Sequence, residues 1–150
     1  MATGRWKLTN VDGVNADWLP IVDLSSSAAL GVSRAGEWLV GTDEDCLPVT
    51  SPRAGVRLLA LLERGQLRVR TQLHGWFATV EARPDIEVPI EAAIRAGLDS
   101  GSKHWAALAL DWISASSSAS SFAEPLRQVS AAAWATQQIR HRAQRLLRQA

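Results

Sequence analysis

One six-residue stretch, DSGSKH, contains several of the side chains that a hydrolase uses. Ser100 and Lys103 have the S-x-x-K spacing, in which a lysine one helical turn away lowers the cost of deprotonating a serine. Asp99 and His104 would complete a triad with the same serine. The S-D-N and K-T-G elements that accompany S-x-x-K are absent from the sequence, however, and Ser102 has a sufficient structural role as a helix N-cap. We therefore expect no catalytic residue and a protein that is not an enzyme.

Residues that could bind a metal are few and scattered. No two of His74, His104 and His141 have the i, i+4 spacing that places two imidazoles on one ion. The single cysteine, Cys46, can form neither an internal disulfide nor a cysteine-based metal site. The acidic residues 43 to 45 lack the spaced ligands and the central glycine of a calcium loop. The sequence therefore predicts no metal and no cofactor.

Seven tryptophans without a single tyrosine are the most unusual feature of the composition. They are Trp6, Trp18, Trp38, Trp76, Trp105, Trp112 and Trp134. They fall about one per predicted element, which is typical of core anchors that each bury a large area. The alternative is an exposed aromatic patch for a partner or a planar ligand, and Trp134 is the leading candidate for it.

Length and composition indicate a single soluble domain spanning residues 1 to 150. Apolar residues make up 47% of the chain and charged residues 21%, which is ordinary for a globular protein. The first residues lack the apolar core of a signal peptide, and no later run approaches the length of a membrane span. We therefore expect a cytoplasmic location and no contact with a membrane.

The first ninety residues are predicted to form mainly a sheet with one embedded helix. Residues 5 to 9, 17 to 24 and 37 to 42 have the composition of short strands bounded by turn residues, which favours an antiparallel meander. Pro20 interrupts the second strand, and because proline cannot donate to a ladder, it predicts a sheet edge or a bulge.

The embedded helix is predicted over residues 52 to 64. Ser51 is a good N-cap, Pro52 suits the first helical position, and Gly65 suits the position after the last. A strand remains the alternative, because residues 58 to 62 are a short apolar run of the length of a buried strand.

Further strands are predicted after this helix. From Leu67 to Leu73 apolar or β-branched residues alternate with Arg and Gln, and residues 66 to 82 therefore predict a hairpin that turns at His74 and Gly75. Residues 86 to 90 alternate in the same way, and Pro89 places them at a sheet edge.

Residues 91 to 150 are predicted to be helical. A helix from Lys103 carries an apolar stripe, which we expect to lie in the core and which consists of Trp105, Leu108, Ala109 and Trp112. The serine-rich residues 114 to 121 are predicted to be a flexible connector. The last thirty residues, 121 to 150, then predict one long amphipathic helix with Pro125 near its start. The fold class is α+β, with five or six short strands covered by C-terminal helices.

The last helix is predicted to carry the partner-binding site. Opposite its apolar stripe, at 100° per residue, lie Trp134, Gln138, His141, Arg145 and Arg148. Residues 124 to 150 contain five arginines and one glutamate, a net charge of +4, which leaves −3 for residues 1 to 123. Arginines near a helix C-terminus also suit the helix macrodipole, so part of this pattern needs no partner.

Aromatic and arginine residues on one helix face are typical of protein interfaces. We therefore expect a non-enzymatic intracellular binding or adaptor protein that engages another protein, or a second copy of itself, through this face. The first alternative is nucleic-acid binding by the same arginines. The second is a small-ligand pocket lined by tryptophans between the sheet and the helices.

Overall fold

The computed structural model describes residues 3–76 and 84–150. The strands are β1 Lys7–Val11, β2 Val14–Asp23, β3 Ala29–Ser33, β4 Trp38–Gly41 and β5 Cys46–Pro48. The α-helices are α1 Gly55–Glu63, α2 Gln66–Gly75, α3 Glu87–Asp99, α4 Lys103–Ser116, α5 Ala123–Ser130 and α6 Gln137–Gln149. The predicted α+β class, with an N-terminal sheet and C-terminal helices, is confirmed.

The five strands form a small closed barrel. Each strand pairs antiparallel with the next one along the chain. The barrel closes where Val11 of β1 lies opposite Cys46 of β5 in a parallel pairing. The predicted meander is therefore correct, and strands β3 and β5 are additions that the sequence pattern did not indicate.

Alternate side chains of the strands point into two different buried clusters. Leu30, Val32 and Val40 belong to a large cluster that continues through the helices. Trp18 and Leu39 belong to a second, small cluster that fills the barrel. Because side chains alternate along a strand, β3 is buried on both faces and has no polar face toward water.

Pro20 lies at an irregularity of the barrel. The pairing of β2 with β3 shifts its register between Pro20 and Val22, which is the bulge that the sequence offered as one of two explanations. β2 is a central strand with β1 on one side and β3 on the other. The proline therefore occupies a bulge and not a sheet edge.

Gly31 of β3 is expected to be required for packing inside the barrel. A Cβ atom at this position would lie 2.3 Å from the carbonyl oxygen of Leu19 and 2.8 Å from Cε3 of Trp18. Overpacking of this kind costs about 1–3 kcal/mol, and Gly31→Ala is expected to lower the free energy of unfolding by that amount. Urea denaturation followed by circular dichroism measures the change.

The matched control for this prediction is Gly75→Ala. Gly75 is the last residue of α2, and among the described residues a Cβ atom there meets nothing within 4 Å. This substitution is expected to leave stability unchanged or to raise it by about 0.4–1 kcal/mol, because alanine restricts the unfolded chain. A Gly31→Ala protein as stable as the control would contradict the packing argument.

The embedded helix is confirmed, and the competing strand interpretation of residues 58 to 62 is wrong. A 3₁₀ turn, Pro52–Ala54, leads directly into α1. Ser51 is extended, and its side chain accepts a hydrogen bond from the backbone N–H of Arg53 at 3.3 Å. The predicted N-cap and the proline at the helix start are therefore both present.

The predicted hairpin over residues 66 to 82 is wrong for its first half, which forms α2. Residues 77 to 82 lie outside the described part of the chain. Val69 and Leu73 are fully buried, whereas Leu67 is 81% exposed. Burial thus follows the i, i+4 spacing of a helix, and the alternation of residue types over this segment does not correspond to two faces of a strand.

The predicted edge strand over residues 86 to 90 is also wrong, because α3 begins there. Pro89 lies in the first turn of α3, where backbone N–H groups have no partner within the helix and proline is tolerated. The side chain of Asp85 accepts from the backbone N–H of Glu87 at 2.9 Å and covers one of these free donors.

The serine-rich connector is largely ordered secondary structure. α4 extends to Ser116, and Ser117 takes a left-handed conformation with φ of 53°. A 3₁₀ helix, Ala119–Phe122, follows, and both of its terminal residues are buried. The predicted boundary at residue 114 is therefore wrong, because serine hydroxyls of α4 bond to carbonyls of the preceding turn without breaking the helix.

The predicted single helix over residues 121 to 150 is two helices, α5 and α6, which pack against each other. Residues 131–136 separate them. Thr136 is extended, with φ of −67° and ψ of 161°, and its hydroxyl accepts from the N–H of Ile139 at 3.1 Å. The chain therefore makes a turn and starts a new capped helix where the pattern of apolar residues alone shows a continuous stripe.

The interpretation of the tryptophans as core anchors is confirmed for three of the seven side chains. Trp18, Trp38 and Trp112 are buried, and the other four are partly buried against the large cluster. The indole N–H of Trp38 donates to the carbonyl of Asp85 at 2.9 Å, which connects the barrel to the start of the helical layer.

Candidate partner-binding surface

The structure divides the predicted partner-binding residues between two places. Gln138, His141, Arg145 and Arg148 lie on α6, and all four are exposed. Trp134 lies in the turn before that helix, is partly buried, and packs against the large cluster. We call the four residues on α6 the basic face.

Trp134 lines a small cavity of its own. This cavity of about 380 Å³ is bounded by Leu98, Asp99, Gln128, Val129 and Trp134. None of these residues borders the depression over the basic face. Trp134 therefore lies in the turn at residues 131–136 and not on α6 itself, and it lines a different cavity from the arginines.

The basic face follows from the amphipathic pattern of α6. Ile139, Ala143 and Leu146 are buried and hold the helix on the rest of the protein. The residues of the basic face lie on the opposite side of the helix at spacings of three and four. Packing of the apolar side thus directs His141 and Arg145 toward water.

The charge on α6 is only partly neutralised. The helix contains four arginines and no acidic residue. Arg142 forms an ion pair with Asp111 at 2.5 Å, and Arg140 donates to the carbonyl of Ala132 at 3.4 Å. Within the described residues, Arg145 and Arg148 have neither an ion pair nor a hydrogen bond, so their guanidinium groups are available to a partner.

A shallow depression of about 470 Å³ lies over the first part of the basic face. It is lined by Gln137, Gln138, His141, Arg142 and Arg145. Glutamine amides both donate and accept hydrogen bonds, and a guanidinium group binds a carboxylate or a phosphate through two parallel bonds. The depression is therefore suited to an anionic group with neutral polar neighbours.

A larger cavity of about 770 Å³, which we call the cleft, lies between the end of α1, the start of α2, the start of α3 and the second half of α4. Its lining includes Leu62, Glu63, Gln66, Leu67, Arg70, Glu87, Leu108, Asp111 and Trp112. Asp111 at its rim is the partner of Arg142, which also lines the depression on α6. The two concave surfaces thus meet at one ion pair.

Ser100 and His104, two of the residues considered for a hydrolase site, and the predicted N-cap Ser102 make structural contacts. The hydroxyl of Ser100 donates to the carbonyl of Gly97 at 2.7 Å. His104 contacts Glu63 at 2.8 Å, and Ser102 accepts from the N–H of Trp105 at 3.4 Å as the predicted N-cap. The structure therefore assigns each of these side chains a structural contact, and the expectation that the protein is not an enzyme stays a prediction.

Cys46 is buried in the barrel, where its thiol lies 3.2 Å from the carbonyl of Thr42. Burial raises the pKa of this thiol to about 11, since the charged thiolate would lose its hydration. Among residues 3–76 and 84–150, no three His, Cys, Asp or Glu side chains are grouped so that they could hold a metal ion.

The sequence contained no signal for the cleft, because α2, which supplies one of its walls, has the alternation of a strand.

In the part of the chain that the structure describes, no helix combines the length and the apolar character needed to cross a membrane. The chain matches no known family model, no curated protein and no solved structure.

Proposed function

We propose that this protein is a non-enzymatic binding or adaptor protein that holds an acidic segment of a partner protein on the basic face. One observation carries the proposal: Arg145 and Arg148 are exposed on a helix without acidic residues and have no partner among the described residues. Carboxylates are the groups that exposed guanidinium forks bind in protein interfaces.

A nucleic-acid ligand is the less favoured alternative. Two of the four arginines of α6, Arg140 and Arg142, already contact groups of this chain. Electrostatic binding of nucleic acid grows with the number of phosphates that are neutralised, and the basic face offers only two free guanidinium groups among the described residues. Residues 1 to 123 also carry a net charge of −3, which opposes the approach of a polyanion.

Self-association is a special case of the same proposal. The acidic part of the chain, residues 1 to 123, would then supply the carboxylates that the basic face of a second copy binds. Analytical ultracentrifugation at low and high salt measures the fraction of associated protein, because contacts between exposed charges weaken as salt screens them.

We place the protein in the cytoplasm as part of the proposal, since its one cysteine is a buried free thiol.

Replacing both free arginines is expected to weaken binding of an acidic peptide by about ten-fold. Each exposed charge pair contributes about 0.2–1 kcal/mol, and 1.4 kcal/mol corresponds to a factor of ten. The measurement is fluorescence anisotropy of a labelled glutamate-rich peptide with the wild-type protein and with Arg145→Gln/Arg148→Gln. A single-stranded oligonucleotide serves as the competing ligand.

The matched control is Arg5→Gln/Arg68→Gln, which makes the same charge change at two exposed positions of the N-terminal half that have no ion pair or hydrogen bond among the described residues. It is expected to change the affinity for the peptide by less than about two-fold. Equal losses in both double variants would show that only net charge matters and would refute the proposal. Displacement of the peptide by much lower concentrations of oligonucleotide would favour the nucleic-acid alternative.

A further inference from the structure

The cavity beside Trp134 combines an aromatic ring with a negative charge. Of the described residues that line it, Asp99 is the only charged one, and none is basic. The side chain of Asp99 is exposed, and within the described part of the chain it has neither an ion pair nor a hydrogen bond. A carboxylate that no cation of the protein neutralises attracts a cation from solution.

The basic side chains that lie nearest to Asp99 along the chain do not neutralise it. Arg95, one turn earlier on α3, donates to the carbonyl of Ser121 at 3.0 Å, and its guanidinium carbon lies 5.2 Å from the ring centre of Phe122. Lys103, at the start of α4, forms no ion pair within the described residues. The carboxylate of Asp99 is therefore available to a ligand.

Two helices end at this cavity. Leu98 and Asp99 are the last two residues of α3, and Gln128 and Val129 belong to the last turn of α5. The C-terminus of a helix carries a partial negative charge, which favours a nearby cation and disfavours a carboxylate. The last turn of α3 has no basic residue, and the one basic residue in the last turn of α5 is already engaged in an ion pair. Both helix ends thus add to the negative potential that Asp99 creates.

Trp134 supplies a surface that a cation can contact. Its side chain packs against the large cluster on one side, and because it is only partly buried, the rest of the ring is open to the cavity. The face of an aromatic ring attracts ammonium groups, and an indole attracts them most strongly. The side-chain oxygen of Gln128, which is exposed at the same cavity, can accept a hydrogen bond from such a group.

We propose that this cavity binds a primary alkylammonium group, from a lysine side chain or from a free aliphatic amine. The N–H donors of the ammonium group match the carboxylate of Asp99 and the amide oxygen of Gln128, and the ring of Trp134 attracts its charge. The volume of about 380 Å³ is within the range of small-ligand sites, about 300–1,000 Å³. The proposal does not depend on the basic face, because the cavity and the depression on α6 share no lining residue among those described.

The first test uses n-butylamine as the probe and n-butanol as its neutral control, in a low-salt buffer that contains no other amine. Binding is followed in ¹H–¹⁵N NMR spectra of the full chain. The indole N–H signal of Trp134, identified by its loss in Trp134→Phe, is expected to shift. We expect an affinity in the millimolar range, because so small a ligand makes few contacts. A shift of equal size with butanol, or no shift with butylamine at high millimolar concentrations, would overturn the proposal.

Asp99→Asn is expected to weaken the binding of butylamine about three- to five-fold, the effect of losing one exposed charge pair. The matched control is Glu44→Gln, which removes the same charge between β4 and β5 from an exposed carboxylate that has no partner among the described residues. This control is expected to leave the affinity unchanged. Both variants should fold, because both side chains are exposed. Equal affinities of the two proteins for butylamine would overturn the proposal.

Two further probes distinguish the sources of the ammonium group. N-acetyl-lysine methylamide represents a lysine of a partner protein, and diaminobutane represents a free polyamine. Tighter binding of the blocked lysine than of butylamine supports a protein partner, and tighter binding of the diamine supports a free amine. Either result supports the site only if Asp99→Asn weakens it, and an Asp99→Asn protein that binds both probes as tightly as the wild type would overturn the proposal.

Discussion

Trp18→Ala is expected to lower the free energy of unfolding by about 3–5 kcal/mol, the range for a large aromatic side chain deleted from a core. The side chain of Trp18 is fully buried, and it packs in the barrel against Ala29, Leu39 and Cys46. These neighbours are mostly small, so no nearby side chain can fill the space that the indole leaves. A loss of this size is comparable with much of the stability of an ordinary domain.

Urea denaturation monitored by circular dichroism measures this loss, with two further variants as controls. Trp6→Ala is expected to cost less, since Trp6 is only partly buried. Trp18→Phe is also expected to cost less than Trp18→Ala, because the indole nitrogen of Trp18 has no hydrogen-bond partner among the described residues. A Trp18→Ala protein whose free energy of unfolding lies within about 1 kcal/mol of the wild-type value would contradict the burial of Trp18 in the barrel core.

Trp112→Ala is the second large effect, again about 3–5 kcal/mol. Trp112 is 4% exposed, and its indole N–H donates to the carbonyl of Leu62 at 3.2 Å. The substitution therefore removes a large buried area and also leaves a backbone carbonyl without its donor. It would in addition enlarge the cleft, of which Trp112 forms part of the wall.

Trp105→Ala tests the burial of Trp105. The sequence placed both tryptophans of α4 in the core, whereas the structure buries only Trp112 fully. Trp105 is only partly buried, so its replacement is expected to cost clearly less than that of Trp112. Trp112→Phe keeps an aromatic ring but removes the hydrogen bond to Leu62. The lost bond is expected to cost about 0.5–1.5 kcal/mol, and the smaller ring area adds to this cost. Equal losses for Trp105→Ala and Trp112→Ala would show that the two residues are equivalent.

The barrel was predictable in part because three of its strands keep local signals. Strands β1, β2 and β4 lie within three residues of the predicted segments, and Pro20 lies at a register shift, one of the two explanations that the sequence offered. β3 was missed because it is buried on both faces and so has no alternation of polar and apolar residues. β5 has three residues, which is too short for any periodic pattern.

The helical half shows how tertiary contacts override local patterns. Residues 66 to 75 alternate like a strand, yet the protein buries only Val69 and Leu73, which are one helical turn apart. In the C-terminal segment, most of the apolar residues that suggested one amphipathic helix are buried, but the sequence pattern did not indicate the capping role of Thr136. A threonine hydroxyl caps a helix only if the preceding chain turns, and that depends on the packing of α5 against α6.

The candidate site was predictable to the extent that it depends on one helix. Gln138, His141, Arg145 and Arg148 share a face, as the helical spacing predicted. Trp134 does not belong to that face, because the helix begins after it. The cleft depends on four elements that are distant in sequence, and no pattern within one of them indicates it.

The seam of the barrel, where β1 meets β5, determines where another chain could add a strand. β1 and β5 are joined by a single residue pair, and side chains hold the neighbouring part of the seam. Thr9 donates to the carbonyl of Thr42 at 2.8 Å, and Lys7 lies 3.4 Å from Asp43. An unpaired strand edge is a template for edge-to-edge aggregation, and a lysine on such an edge opposes it. Protection against aggregation at this edge therefore rests on a hydroxyl and an exposed ion pair, and salt weakens the ion pair.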